Sequence, residues 1–404
     1  MNANIFEAAG FSSAHLQRLT KLLQGYIDRS DLAGLIATVA CQGKTMYYGK
    51  FGLADKEAAK PMQDDTIFMI ASMTKPITAV AAMMLYEEGH FNLNTPVWKF
   101  LPAYKEVKVY AGRKKDGSLK LAALEREITF RHLFTHTSGL SYGSNEKDPV
   151  DREYRNATKT LEKTKSLLTL ATLVDNLAQL PLAFQPGTKW RYSMSIDVLG
   201  RLVEIISGMS FEKFLAERIF KPLGMEDTAF FVSPEKMGRV AAVYHHGGPD
   251  ISLRPDKEIR PPAELPQLIM PGGGLVSTVS DYARFCQMLV NGGELDGVRL
   301  LGPKTVALFS MNHTPEAALP YGFTENDLYH AGYGYSLGTR VLMDVSKSGL
   351  YGSVGEFGWD GAYSTYFWVD PREQLYGLMM LQHAPNAYYP IHQQFKQLIY
   401  QAML

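Results

Sequence analysis

Apolar residues at Leu16, Leu19, Leu23, Tyr26 and Ile27 recur at helical spacing and predict an N-terminal amphipathic helix. The period then changes. Leu35 to Cys41 and Thr45 to Phe51 are apolar-rich runs on either side of Gln42-Gly43-Lys44, which predicts a β-hairpin. Near the other end, Thr365 to Val369 and Leu375 to Leu381 flank Asp370-Pro371-Arg372-Glu373, a turn with proline at its favoured position. Ile391, Phe395, Leu398 and Ile399 return to helical spacing.

Between 72 and 290 the pattern is mostly helical, with long loops, the richest being Lys105 to Arg126. From Ile77 to Glu88, the residues Ile77, Val80, Ala81 and Met84, with Ala79, Ala82 and Met83 between them, leave almost no polar face. That marks a helix buried inside a large domain. Ile128 to Phe134, Ile196 to Ser207 and Phe211 to Phe220 read as further helices, and Ser280-Asp281-Tyr282 as the cap of a helix running to Leu289. Asn145 to Lys159 reads as charged loop. Strands at both ends and helices between them predict an α+β fold: an antiparallel sheet formed by both chain ends, flanked by terminal helices, with an inserted mostly helical domain. The expected division is a discontinuous sheet domain, 1–104 with 272–404, and a helical domain, 105–271, with the site at their interface.

With 404 residues and 46% hydrophobic content, the chain can bury a large core. The 41 Lys and Arg balance the 41 Asp and Glu, so no basic excess points to nucleic acid. No apolar run reaches membrane-spanning length, and Met1 to Gly10 has no basic region followed by an apolar stretch. The expectation is a cytoplasmic protein with no membrane partner. Cys41 and Cys286 lie in apolar segments and read as buried free thiols. No residue spacing calls for a metal or another cofactor.

Against this background one tetrapeptide carries chemistry. Ser72-Met73-Thr74-Lys75 stands at the start of the buried helix, where a Ser and a Lys three residues apart lie on one side of a tight turn. The amine can then take the proton that the hydroxyl must lose. Unpaired backbone N–H groups at the helix start would stabilise an oxyanion. Ser-x-x-Lys occurs four times, but Ser210 and Ser233 read as helix openers and Ser144 lies in polar loop. Tyr192 follows a Gln185-Pro186-Gly187 turn and precedes the helix at Ile196; beside a lysine its phenolate form is favoured, making it a candidate base. Glycines at 355, 358 and 361 before the strand at Thr365 mark a close approach, from which a backbone N–H near Ala362 could complete an oxyanion hole with that of Ser72.

Together these segments resemble the serine β-lactamase and penicillin-binding superfamily, and within it the family VIII carboxylesterases, relatives of class C β-lactamases. The resemblance runs through Ile70–Leu85, Leu133–Leu140, Pro186–Ser193, Pro271–Ser280 and Gly358–Ala362. It implies a serine esterase with no cofactor, acting on a small-molecule ester through an acyl-enzyme on Ser72. Lys75 and Tyr192 would be the base system, and the amides of Ser72 and Ala362 the oxyanion hole. Met194 stands where class C enzymes have an Asn, and Trp359 replaces the Lys of Lys-Thr-Gly. Losing that cation favours neutral esters over penicillins or peptides. Tyr142, Met194, Phe357, Trp359, Gly361 and Tyr363 are the expected substrate contacts, and Trp190 is expected near the site. Asp360, beside the oxyanion strand, is expected to face away or to pair with a cation.

Four other readings remain open. Tyr154-Arg155-Asn156 and Lys347-Ser348-Gly349 literally match the penicillin-recognising motifs and would make the protein a β-lactamase or D-Ala-D-Ala peptidase. Gly139-Leu140-Ser141-Tyr142-Gly143 matches a nucleophile elbow and would need His383 or another late histidine. Acyl transfer from the same acyl-enzyme, or a non-catalytic binding protein, complete the set.

Overall fold

The computed structural model describes residues 10–163, 168–247, 252–319, 321–322 and 331–404. The expectation for Met1 to Gly10 falls, but for Gly10, outside these residues. Helix α1 (Ser13–Asp28) opens the described chain, capped by Ser12, and buries Leu16, Leu19, Leu23 and Tyr26. Strands β1 (Gly34–Cys41) and β2 (Lys44–Asp55) follow as the predicted hairpin. Gln42 (φ 49°) and Gly43 (φ 73°) both take positive φ, the geometry that matches the twist of paired strands.

One antiparallel sheet organises the molecule. Its eight strands run in the order β4-β5-β6-β7-β8-β1-β2-β3, where β3 is Lys60–Pro61, β4 Tyr333–Tyr335, β5 Arg340–Leu342, β6 Phe357–Asp360, β7 Tyr366–Asp370 and β8 Leu375–Leu381. The two chain ends meet in the middle, where β1 pairs with β8 in the register Ile36↔Met380 and Thr38↔Leu378. Both faces are covered, so β1 is buried along its whole length. Leu35, Ala37 and Val39 point into one core with α1 and the C-terminal helix, whereas Ile36 and Ala40 point into the larger core of the helical region. This period-two division of one apolar run is the β-like, antiparallel architecture that both ends of the sequence predicted.

The larger core, on the second face of the sheet, contains helix α2 (Thr74–Glu87), preceded by a 3₁₀ turn at Ala71–Met73. Every residue from Thr74 to Leu85 is buried, as its unbroken apolar pattern required. Helices α3 (Phe130–Phe134), α4 (Ser195–Ser207) and α5 (Val279–Val290) surround it, and α6 (Ile391–Tyr400) closes the chain against α1. Cys41 and Cys286 are free and buried. Among the described residues no helix is long and apolar enough to cross a membrane.

Several local expectations are corrected. The segment 105–126 is not only loop: Val109–Arg113 pairs with Leu119–Ala122 as a ribbon. Asn145 to Lys159 is mostly helical, spanning Pro149–Lys163 with Val150 and Tyr154 buried one turn apart; two apolar positions in a polar run hid it. The cap of α5 is Thr278, whose hydroxyl accepts the Asp281 amide, so Ser280-Asp281-Tyr282 already lies within the helix. The run from Phe211 is interrupted by a wide turn at 216–220.

Candidate active site

Ser72 sits in the 3₁₀ turn, directly after Ala71, whose φ of 43° is a costly conformation for a residue with a Cβ. The turn carries Ser72 three residues before Lys75, and Lys75 Nζ lies 3.1 Å from Ser72 Oγ. Lys75 is 1% exposed. Its amine also donates to the Gly272 carbonyl at 2.5 Å and lies over the faces of Tyr192, 4.5 Å from the ring centroid, and Tyr142, at 5.4 Å. Burial pulls the ammonium down to about 7, opposed by the negative charges of Asp197 and then Asp360. A lysine that gives up its proton near neutral pH can accept one from a hydroxyl.

Tyr192 completes the group. It hydrogen-bonds with Ser72, and its hydroxyl accepts the Trp359 indole N–H at 3.3 Å. No strand precedes it. Instead its segment is tied down by the Arg191 amide on the His136 carbonyl and by the Arg191 guanidinium on Asp148 and Asp151. A buried hydroxyl chain, Ser138 to Ser195 to Ser193, ends at His136 Nδ1, and the His136 ring lies 4.7 Å from that of Tyr192. The expectation of a favoured phenolate is reversed: burial is the largest influence on Tyr192 and pushes its pKa well up, outweighing the bonds to Ser72 and Trp359. The tyrosine is held as a phenol, a proton donor.

The glycine-rich strand end comes close as predicted. A Cβ on Gly361 would stand 2.5 Å from the Ile70 carbonyl oxygen, so only glycine lets this backbone meet the turn that carries Ser72. Ala362 follows at the exposed surface. Among the described residues neither its amide nor that of Ser72 donates to another backbone group. Asp360 is held by Arg340 at 2.9 Å and by the Asn386 amide at 2.7 Å, the cation pairing that was expected.

The expected contacts divide. Tyr142, Trp190 and Trp359 converge on Tyr192 with ring centroids 5.3, 6.0 and 5.8 Å away, and Met194 is half-buried at the start of α4. Phe357 does not belong with them; it is a core residue beside Phe309, because the same face of β6 passes from site to core within two residues. Tyr363 is half-buried and within electrostatic reach of Asp256, outside the aromatic group around Tyr192.

The rival motifs are not assembled here. Tyr154 is buried on its helix, and Lys347 is 74% exposed on the turn Val345–Ser348, beside Asp344. Ser141 is buried and donates to Asp151 at 2.5 Å, while His383 lies against His246 at 2.9 Å. Sequence reasoning missed Asp197, His136 and the Gly272 carbonyl. The only signal for Asp197 was an acid in the first turn of an apolar helix, which dipole compensation explains equally well.

The chain matches the Beta-lactamase family over residues 19–401 and belongs to it. Protein Rv1367c of Mycobacterium tuberculosis is 36% identical over 364 residues, covering 89% of this chain and 88% of that one. Esterase EstB of Burkholderia gladioli is 30% identical over 398 residues, covering 92% and 90%. The solved structure of EstCE1, described as a hydrolase with promiscuous acyltransferase activity, superposes with a TM-score of 0.76 at 25% identity, covering 96% of this chain and 98% of that one. The protein is thus a serine hydrolase of the β-lactamase-like fold, with relatives of the ester-hydrolase and acyltransferase kind.

Proposed function

We propose that the protein is a carboxylesterase of the family VIII type, hydrolysing small to medium neutral esters through an acyl-enzyme on Ser72, with little β-lactam turnover. The observation that carries this reading is the Lys75 amine 3.1 Å from Ser72 Oγ, buried enough to be neutral near pH 7. On this reading the site lies at the seam between the sheet domain, 1–104 with 272–404, and the helical domain, 105–271.

Ser72 Oγ attacks the ester carbonyl as its proton passes to Lys75 Nζ. The amides of Ser72 and Ala362 donate to the developing oxyanion, where each donor is worth about 3 kcal/mol. As the carbon–oxygen bond to the alcohol breaks, the Tyr192 phenol protonates the leaving alkoxide and is reprotonated from the Lys75 ammonium. Water then enters by the reverse route and releases the acid. Trp359 stands where a β-lactamase-type lysine would meet a substrate carboxylate, and its N–H is engaged with Tyr192. No cation therefore favours an anionic substrate there. Hydrolysis of a p-nitrophenyl ester series against nitrocefin tests this: acetate to octanoate esters are expected to be turned over at least about 100-fold better in kcat/KM than nitrocefin, a gap of about 2.7 kcal/mol. Nitrocefin as the better substrate would overturn the ester reading.

The protonation state fixes the pH profile. The attacking form needs a neutral Lys75, so kcat/KM should rise with pH through about 7 and then level off. A rate already flat from pH 5 upward would remove Lys75 as the base.

Acyl transfer shares the acyl-enzyme and differs only in the acceptor. EstCE1 is described as doing both. Competing alcohol in the assay, with the ester product quantified, separates the two fates.

A further inference from the structure

We propose that Asp197 is a positioning residue for the base, acting across the Gly272 peptide to hold the Lys75 ammonium that forms when Ser72 gives up its proton. The inference rests on the reading of Ser72 and Lys75 above. Asp197 is fully buried in the first turn of α4, and its Oδ1 accepts the Gly272 amide at 2.8 Å. The carbonyl of the same residue accepts Lys75 Nζ at 2.5 Å. One glycine thus joins a carboxylate to an amine, and such linked hydrogen bonds polarise one another.

Dipole compensation alone would be served by an exposed acid, and burying a carboxylate costs several kcal/mol unless something answers it. Among the described residues no lysine or arginine forms an ion pair with Asp197. What answers it is the Gly272 amide, the charge of Lys75 and the Tyr142 hydroxyl. The fit is close: a Cβ at Gly272 would stand 2.8 Å from both Asp197 Oδ2 and the Tyr142 hydroxyl.

Among the described residues, the charged and titratable groups around Lys75 are Asp197 from α4, Asp360 from β6, and Tyr142, Tyr192 and His136 from the connecting segments. The tyrosines are held protonated and His136 neutral by burial. Asp360 is already committed to Arg340 and Asn386. Asp197 is the carboxylate left to answer the positive charge. When the Ser72 O–H bond breaks and the new carbon–oxygen bond forms, the proton arrives on Nζ, one peptide away from it.

Asp197→Asn keeps an oxygen for the Gly272 amide, removes the charge and turns the second oxygen into an N–H donor. The full chain is assayed from pH 5 to 9 for p-nitrophenyl acetate turnover and for the rate of Ser72 labelling by a fluorophosphonate, with thermal melting as a check on folding. The expected result is an acid limb moved about one unit to lower pH, a plateau kcat down about tenfold and KM little changed. Asp197→Ser, also neutral, serves if the Asn variant does not fold, and Asp197→Glu is expected to restore the wild-type limb. Folded neutral variants whose limb stays at the wild-type pH in both assays would overturn the inference alone. A wild-type Ser72 that takes no label would overturn the functional reading, and the inference with it.

Discussion

Replacing Ser72 by Ala is expected to lower ester turnover by about 10⁴-fold or more, the scale on which removing a serine nucleophile acts, while the protein stays folded. The hydroxyl has no structural task that its loss would expose: Ser72 is only half-buried, and its Oγ is bonded to Lys75 and Tyr192, the proposed base and acid. Stability should therefore change by no more than about 0.5 kcal/mol. Intact mass spectrometry after brief exposure to a slow ester should find one acyl group on the wild type and none on Ser72→Ala. The comparison that gives the result meaning is Ser141→Ala. Ser141 is buried, bonded to Asp151, and accepts the Gly143 amide at 3.1 Å, so it shapes the loop that presents Tyr142. Its loss should leave the chemistry in place. Full activity in Ser72→Ala, or an adduct on Ser141, would move the nucleophile elsewhere.

The largest effect on stability is expected far from Ser72. Glu356, just ahead of β6, is buried against Lys396 of α6, and their side chains form an ion pair. Lys396 Nζ also lies 3.1 Å from the Tyr333 hydroxyl, and the Tyr400 hydroxyl lies 3.1 Å from Glu356 and 2.7 Å from Asp370. The pair is the polar bolt between the C-terminal helix and the sheet. Burial raises the Glu356 pKa and lowers that of Lys396, each held back by the charge of the other. Removing one partner strands the second in a dry site. Glu356→Leu alone should therefore cost about 3–5 kcal/mol in urea unfolding, whereas Glu356→Leu with Lys396→Met should recover most of the loss, since well-packed apolar replacements of buried pairs are near neutral. A single variant that melts like the wild type would show that the pair contributes nothing. Ester turnover in the double variant should persist at temperatures where it is folded, because neither residue touches Ser72, Lys75 or Tyr192.

What the sequence determined by itself was local. The spacing of Leu16, Leu19 and Leu23, the two hairpins with their turn residues, the apolar run of α2 and the three-residue step from Ser72 to Lys75 depend on neighbours a few positions away, and each appears in the structure where the pattern put it. Gly361 belongs with them, since dense glycine beside a strand announces a close approach even when its target is unknown. The tertiary structure decided what depended on distant partners. Two residues that look alike in the pattern, Phe357 and Trp359, separate into core and site because one meets Phe309 and the other Tyr192. Asp197 acquires a role only when the fold sets Gly272 between it and Lys75, whose amine and the Gly272 carbonyl lie 197 positions apart along the chain. Protonation followed the same rule. A lysine beside a tyrosine suggests a phenolate when only charge is counted, but the fold buries both, and desolvation disfavours every charged form at once, so the lysine gives up its proton near neutral pH and the tyrosine stays a phenol.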